Sequence, residues 1–179
     1  MTDMVKKILT PILVIIAAIL IYNFFLKPPS FDNGAKVPEI QGQLIDGTEF
    51  QLSDLRGKYV LVDFWGSWCP PCRKEIPDIK KFYADHHGQE YKDADGFEIV
   101  SIALEKSDTY TKKIIEKENL NWPYHLIDVN KIIMLSSYAQ DFDVKDLPTK
   151  FLISPKGEFM GTNLTWEEMD RMMTERYKN

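Results

Sequence analysis

Cysteine is nearly absent from this chain: Cys69 and Cys72 are its only two, separated by a pair of prolines in a sequence of 179 residues. That excludes a disulfide-stapled scaffold. With no second Cys-x-x-Cys and no His-x-His pair to complete four ligands, the sequence argues against a zinc site within one chain. Histidine is scarce too; His86, His87 and His125 stand without evident partners and read as loop or surface residues. Positive charge is in deficit. Against 27 Asp and Glu there are 22 Lys and Arg, a net charge of −5. The basic footprint of a nucleic-acid binder is therefore missing. Repeats and low-complexity tracts are missing as well. The length allows one domain plus an appendage, and the 44% hydrophobic content suffices for a core.

Long apolar runs are absent with one exception, Ile8 to Leu26, bounded by Lys7 and Lys27. At 1.5 Å per residue, about 19 helical residues span roughly 28 Å, close to the hydrocarbon thickness of a bilayer. A cleavable signal peptide would have a shorter apolar region followed by a small-x-small site. Tyr22-Asn23-Phe24-Phe25 offers none. No cysteine follows the run, which excludes lipoprotein attachment. The expectation is an uncleaved transmembrane anchor over residues 8–26 in contact with the lipid bilayer. Lys6 and Lys7 before the span place residues 1–7 in the cytoplasm and the rest of the chain outside, in the periplasm or cell exterior. Lys27 to Lys36, with Pro28-Pro29-Ser30 and Asn33-Gly34, reads as a linker, and a folded domain is expected over 37–179.

The domain is organised around Val60-Leu61-Val62-Asp63-Phe64-Trp65-Gly66-Ser67-Trp68-Cys69-Pro70-Pro71-Cys72. Tyr59 to Trp65 predicts a buried strand ended by Gly66, and a helix starts at Pro71. Cys69 then precedes a helix N-terminus, whose unpaired N–H groups and dipole favour thiolate over thiol. Cys72, one turn on, is within reach for a disulfide. A structural disulfide, half of a zinc site and a redox-active dithiol all use such a pair. Asp63 is the odd residue of its strand. A carboxylate among Val60, Leu61, Val62 and Phe64 is costly if charged and buried, and burial would raise its pKa towards neutrality; on an edge strand it would simply face water.

The remaining pattern alternates strands and helices. Gln43 to Leu52 alternates about Asp46-Gly47, which predicts a two-residue hairpin. One amphipathic helix is expected from Cys72 to about His86, kinked by Pro77. A strand over 97–104, a helix capped by Ser107 or Asp108, a short strand over 124–127 and a helix over about 129–138 follow. Lys150–Ile153 and Glu158–Asn163 flank a turn, and Thr165-Trp166-Glu167-Glu168 forms a capping box before a last helix. Together these predict an α/β domain whose mixed sheet is covered on both faces.

Asp63-Phe64-Trp65 followed by Trp68-Cys69-Pro70-Pro71-Cys72, with Arg73-Lys74-Glu75-Ile76-Pro77 after it and Leu147-Pro148-Thr149 downstream, resembles the active-site segment and cis-proline loop of the thioredoxin superfamily. The Lys-Glu-x-Pro continuation and the hairpin before the first core strand resemble its membrane-anchored TlpA/ResA-type branch. The resemblance implies a thioredoxin-like fold with an N-terminal hairpin extension and thiol–disulfide exchange without a cofactor beyond the Cys69–Cys72 disulfide. It implies attack by Cys69 and resolution by a buried Cys72, with Asp63 relaying a proton. Trp68 is expected as an exposed shield beside the sulfurs and Trp65 as core. Pro70 and Pro71 stiffen the ring, Pro148 packs against the disulfide, and the backbone of Leu147 pairs with an extended substrate. Glu75 is read as a helix-face charge. Lys150 departs from the pattern with no assigned effect. The implied partners are protein disulfides or dithiols, with cytochrome c maturation-type clients among them, and a membrane electron donor. An oxidase or isomerase, or a peroxiredoxin-like thiol peroxidase, is the alternative; the peroxidase reading needs a cysteine in another motif, which is lacking.

Overall fold

In the computed structural model, residues 2–22, 31–130 and 132–178 are described. The elements in order are helix α1 (Thr2–Ile21), strands β1 (Gln41–Gln43), β2 (Glu49–Gln51) and β3 (Tyr59–Trp65), helices α2 (Pro70–Lys74) and α3 (Ile76–His86), strand β4 (Phe97–Glu105), helix α4 (Asp108–Glu118), strand β5 (Tyr124–Val129), helix α5 (Ser137–Asp141), strands β6 (Thr149–Ile153) and β7 (Phe159–Thr162), and helix α6 (Trp166–Thr174).

The apolar run Tyr59–Trp65 becomes the central strand of a five-stranded mixed sheet of order β5-β4-β3-β6-β7. β3 runs parallel to β4 and antiparallel to β6. A strand covered on both faces reads as a continuous apolar run, and all seven β3 residues are buried. Alternation divides them. Tyr59, Leu61 and Trp65 join Ile76, Ile79, Phe82 and Met169 under α3 and α6. Val60, Val62 and Phe64 join Phe142, Phe151 and Phe159 on the opposite face. Asp63 shares the first of these faces, so it points at the helices rather than at an open edge.

Both edges of the sheet are covered, which hides unpaired backbone groups from other chains. The β1–β2 hairpin lies along β5 through the Leu44–Leu126 bridge and the Ile45 N–H bond to the His125 carbonyl. Its turn is longer than expected. Ile45-Asp46-Gly47 form a three-residue loop in which the Gly47 N–H donates to Leu44 O, Leu44 N–H donates to Thr48 O and Gly47 takes φ +91°. A turn ending on a left-handed glycine matches strand twist as well as a two-residue turn does. At the other edge, residues 31–36, within the expected linker, lie on β7. Gly34 N–H donates to Phe159 O, and Phe31 stacks on Phe159 at 4.3 Å.

Two predicted helices differ. The expected helix from Cys72 to His86 is broken at Glu75 into α2 and α3. Pro77 has no N–H to return to the preceding turn, and near the start of α3 that donor is not needed. The stretch expected as one helix over 129–138 is a 3-10 turn, Ile133–Leu135, followed by α5. Ile132, Met134 and Leu135 are exposed there, because their spacing forms no stripe that α5 can bury.

Helix α1 starts six residues before the expected span, and its described side chains from Ile8 to Tyr22 are exposed. Among the described residues, no helix is long and apolar enough to cross a membrane. The end of the predicted span after Tyr22 and the Pro28-Pro29-Ser30 part of the linker lie outside the described residues.

Candidate active site

The site lies at the C-terminal end of β3, where Gly66–Trp68 turn the chain into α2. A Cβ on Gly66 would come within 2.9 Å of Trp68 Nε1 and 3.2 Å of Leu104 O, so glycine is what lets the indole fold back on the turn. The indole N–H then donates to Leu104 O at 2.8 Å. Glu105, at the end of β4, fixes the same turn: its carboxylate accepts from the Ser67 N–H at 2.5 Å and from the Ser67 hydroxyl at 2.9 Å. Both residues are buried. Glu105 carries no motif of its own, and only the parallel β3–β4 register brings it here. Trp68 is 50% exposed, as expected of a shield, and Trp65 is core.

Cys69 and Cys72 form a disulfide. Cys69 is the N-cap of α2, and its sulfur accepts from the Cys72 N–H at 3.2 Å. Pro70 and Pro71 open the helix, one residue earlier than predicted, and are exposed. Cys72 is buried at 5% exposure, and Cys69, the sulfur expected to attack, is covered alike at 4%. The cause is the loop before β6: Leu147 O lies 3.7 Å from Cys69 Sγ. The Leu147–Pro148 peptide is cis, and both residues are half-buried.

Behind Cys72 is a narrow cavity with room for about one water, lined by Asp63, Cys72, Glu75, Ser101, Pro148 and Trp166 among others. Burial pushes the Asp63 carboxyl up to about 7; the Lys150 charge lowers it and the Glu75 charge raises it. Glu75, read from sequence as a helix-face charge, bonds Lys150 Nζ at 2.5 Å. Lys150 faces Asp63 across the β3–β6 ladder and lies 5.0 Å from the Trp166 ring centroid. The signal for Lys150 was available in principle: an antiparallel strand following the proline loop sets its second residue opposite Asp63. Glu75 had none, since its approach depends on the break between α2 and α3. The histidines take no part in the site. His86 and His125 are buried, with His86 joined to Asp170 and Tyr177, and His87 stacks on Tyr83. Burial holds His125 down at about 4.

Such an arrangement can exchange a disulfide for two thiols and hold one proton next to the inner sulfur. Among the described residues, no group of three or more His, Cys, Asp or Glu is placed to hold a metal ion. A family model described as AhpC/TSA family matches residues 33–160. The chain belongs to the AhpC/TSA family. It is 33% identical over 150 residues to the thiol-disulfide oxidoreductase ResA of Bacillus subtilis (strain 168), a match covering 82% of this chain and 77% of that protein. To ResA of Geobacillus kaustophilus (strain HTA426) it is 32% identical, over 89% of this chain and 88% of that one. The thioredoxin domain of a thiol-disulfide oxidoreductase from Bacteroides vulgatus superposes with a TM-score of 0.67 at 28% identity, covering 80% of this chain and 99% of that domain. A thiol:disulfide interchange protein from Bacteroides sp. gives 0.66 at 27% identity, covering 80% and 91%. The fold is thioredoxin-like, and the enzyme class is thiol–disulfide oxidoreductase.

Proposed function

We propose that the protein is a reductase of protein disulfides, held on the outer face of the cytoplasmic membrane by its N-terminal segment. In the reduced enzyme, the Cys69 thiolate attacks a client disulfide. A Cys69–client bond forms, the client's S–S bond breaks, and its other sulfur leaves as a thiolate that takes a proton from solvent. Cys72 then gives its proton to the Asp63 carboxylate and attacks Cys69. The Cys69–Cys72 bond forms, the Cys69–client bond breaks, the second client sulfur leaves as a thiolate that regains the proton held on Asp63, and two electrons have passed to the client. The observation that carries this reading is Asp63 in one cavity with Cys72, its carboxyl brought to about 7 by burial. A carrier so poised can accept and return a proton at ambient pH. Leu147, whose carbonyl lies against Cys69, supplies a backbone edge for an extended client segment, and Trp68, Pro70, Pro71 and Pro148 flank the two cysteines in sequence or at the cis peptide. Cytochrome c maturation-type clients fit this reading, and a membrane thiol donor would regenerate the dithiol.

Anchoring is supported by the apolar run Ile8–Leu26 and by the exposure of its described part on all sides. It is tested by carbonate extraction, by sequencing the mature N-terminus, and by a reporter fused after Asn179 that is active only outside the cytoplasm. A mature N-terminus at Lys27 or beyond contradicts it. The redox direction is tested by insulin reduction and by the equilibrium potential of the Cys69–Cys72 pair. A value near about −270 mV supports a reductase, and one near about −120 mV supports an oxidant instead. Rapid hydroperoxide turnover would favour a peroxidase.

A further inference from the structure

Resting on this reading, we propose that Lys150 is the positioning residue of the resolving step: by engaging Glu75 under Trp166 it makes Asp63 the carboxyl that exchanges a proton with Cys72. The alternation of β6 puts Lys150 on the face of Leu152, beneath α3 and α6, and the register sets it opposite Asp63. Its side chain is 8% exposed, unusual for a lysine, and its ammonium is held between the Glu75 carboxylate and the Trp166 ring. The backbone beneath it is fixed as well: the Lys150 N–H donates to Asn163 Oδ1 at 2.9 Å, and Asn163 N–H donates to Lys150 O at 2.8 Å. Glu75 lines both the inner cavity with Cys72 and the outer groove with Lys150, so the ion pair stands between the cavity and solvent.

The charges facing this point are Asp63 from β3, Glu75 from the α2–α3 junction, Lys150 from β6, and Asp78 and Glu167 at the outer groove. Two carboxylates thus share one cation at the cavity. Lys150 pairs directly with Glu75 and acts on Asp63 only through its charge, so Asp63 is the carboxyl left to take up and release a proton near neutral pH. The lowering effect of Lys150 on Asp63 keeps that proton from being held too tightly to release.

The test uses the reduced full-length protein and a synthetic peptide disulfide, with formation and release of the mixed disulfide followed by rapid quench and mass spectrometry from pH 5.5 to 9. Lys150→Met keeps the stem beneath Trp166 and removes the charge. The pH midpoint of release is expected to move up by about one unit, with formation little changed. Glu75→Gln should move it down, and Lys150→Arg should restore the wild-type midpoint. In an Asp63→Asn background, Lys150→Met should move nothing. If Lys150→Met fails to fold, the opposite shift in Glu75→Gln and its loss with Asp63→Asn still decide the matter. An unmoved midpoint in folded Lys150→Met, or a shift that persists without Asp63, overturns the assignment. A wild-type protein that forms no mixed disulfide overturns the reductase reading instead.

Discussion

Asp63 is a carboxyl whose proton affinity is set by where one strand places it. Its folded value of about 7 lies above the ordinary value of 3.8. The folded protein therefore binds this proton more tightly than the unfolded chain. The associated stability is fully present below about pH 4 and is lost as pH rises through about 7. Asp63→Asn should flatten that slope and leave the variant more stable than wild type at pH 8, by up to about 4 kcal/mol, in urea melts at several pH values. Equal stability at pH 8 would mean the carboxylate is solvated after all. The same variant should slow release of the mixed disulfide by about 10²-fold or more, since it lacks the proton carrier. Gly66 is a second single-residue constraint. Gly66→Ala should displace the Trp68 indole from Leu104 O, seen as altered tryptophan fluorescence and faster alkylation of the reduced cysteines. An unchanged spectrum would contradict the close approach.

At the scale of elements, legibility followed the strength of the local pattern. β3 was readable to the residue because β-branched and aromatic side chains fill it and Gly66 ends it. The capping box at α6 was readable because it is a local code, and Thr165 and Glu168 make both of its bonds. Ile132, Ile133 and Leu135 misled, since a short apolar run fits a helix and an irregular turn equally well. The site was half legible. Cys69, Cys72, Pro148 and Asp63 stand in recognisable segments. Glu75, Glu105 and Lys150 reach the site only through a helix break and two strand registers, which no local window contains. Residues 31–36 show the same gap: Gly and Asn read as linker, yet Phe31 closes the β7 edge. Phe31→Ala should cost about 1–2 kcal/mol in urea unfolding, the loss of an aromatic stack and its burial, with insulin reduction unchanged. No loss would place the start of the cooperative unit after this segment.

For the whole molecule, the sheet separates two tasks. The face with Phe64, Phe142, Phe151 and Phe159 is dominated by aromatic and aliphatic packing, while the face under α3 and α6 combines packing with the Asp63, Glu75 and Lys150 group behind Cys72. The parallel strands end at the same side, and Ser67, Glu105 and the cysteines gather there. Residues 31–37 pack at the β7 edge, and Val37 N–H donates to Gly157 O in the turn at the other end of the strands. The folded disulfide covers its two cysteines alike, yet thiol–disulfide exchange assigns them unequal roles. Trapping measures this directly. With Cys72→Ser, attack proceeds and resolution does not, so client proteins should accumulate as mixed disulfides on non-reducing gels. With Cys69→Ser, almost none should accumulate. Equal trapping by the two variants would contradict the assignment of Cys69 as the attacking sulfur and Cys72 as the resolving one.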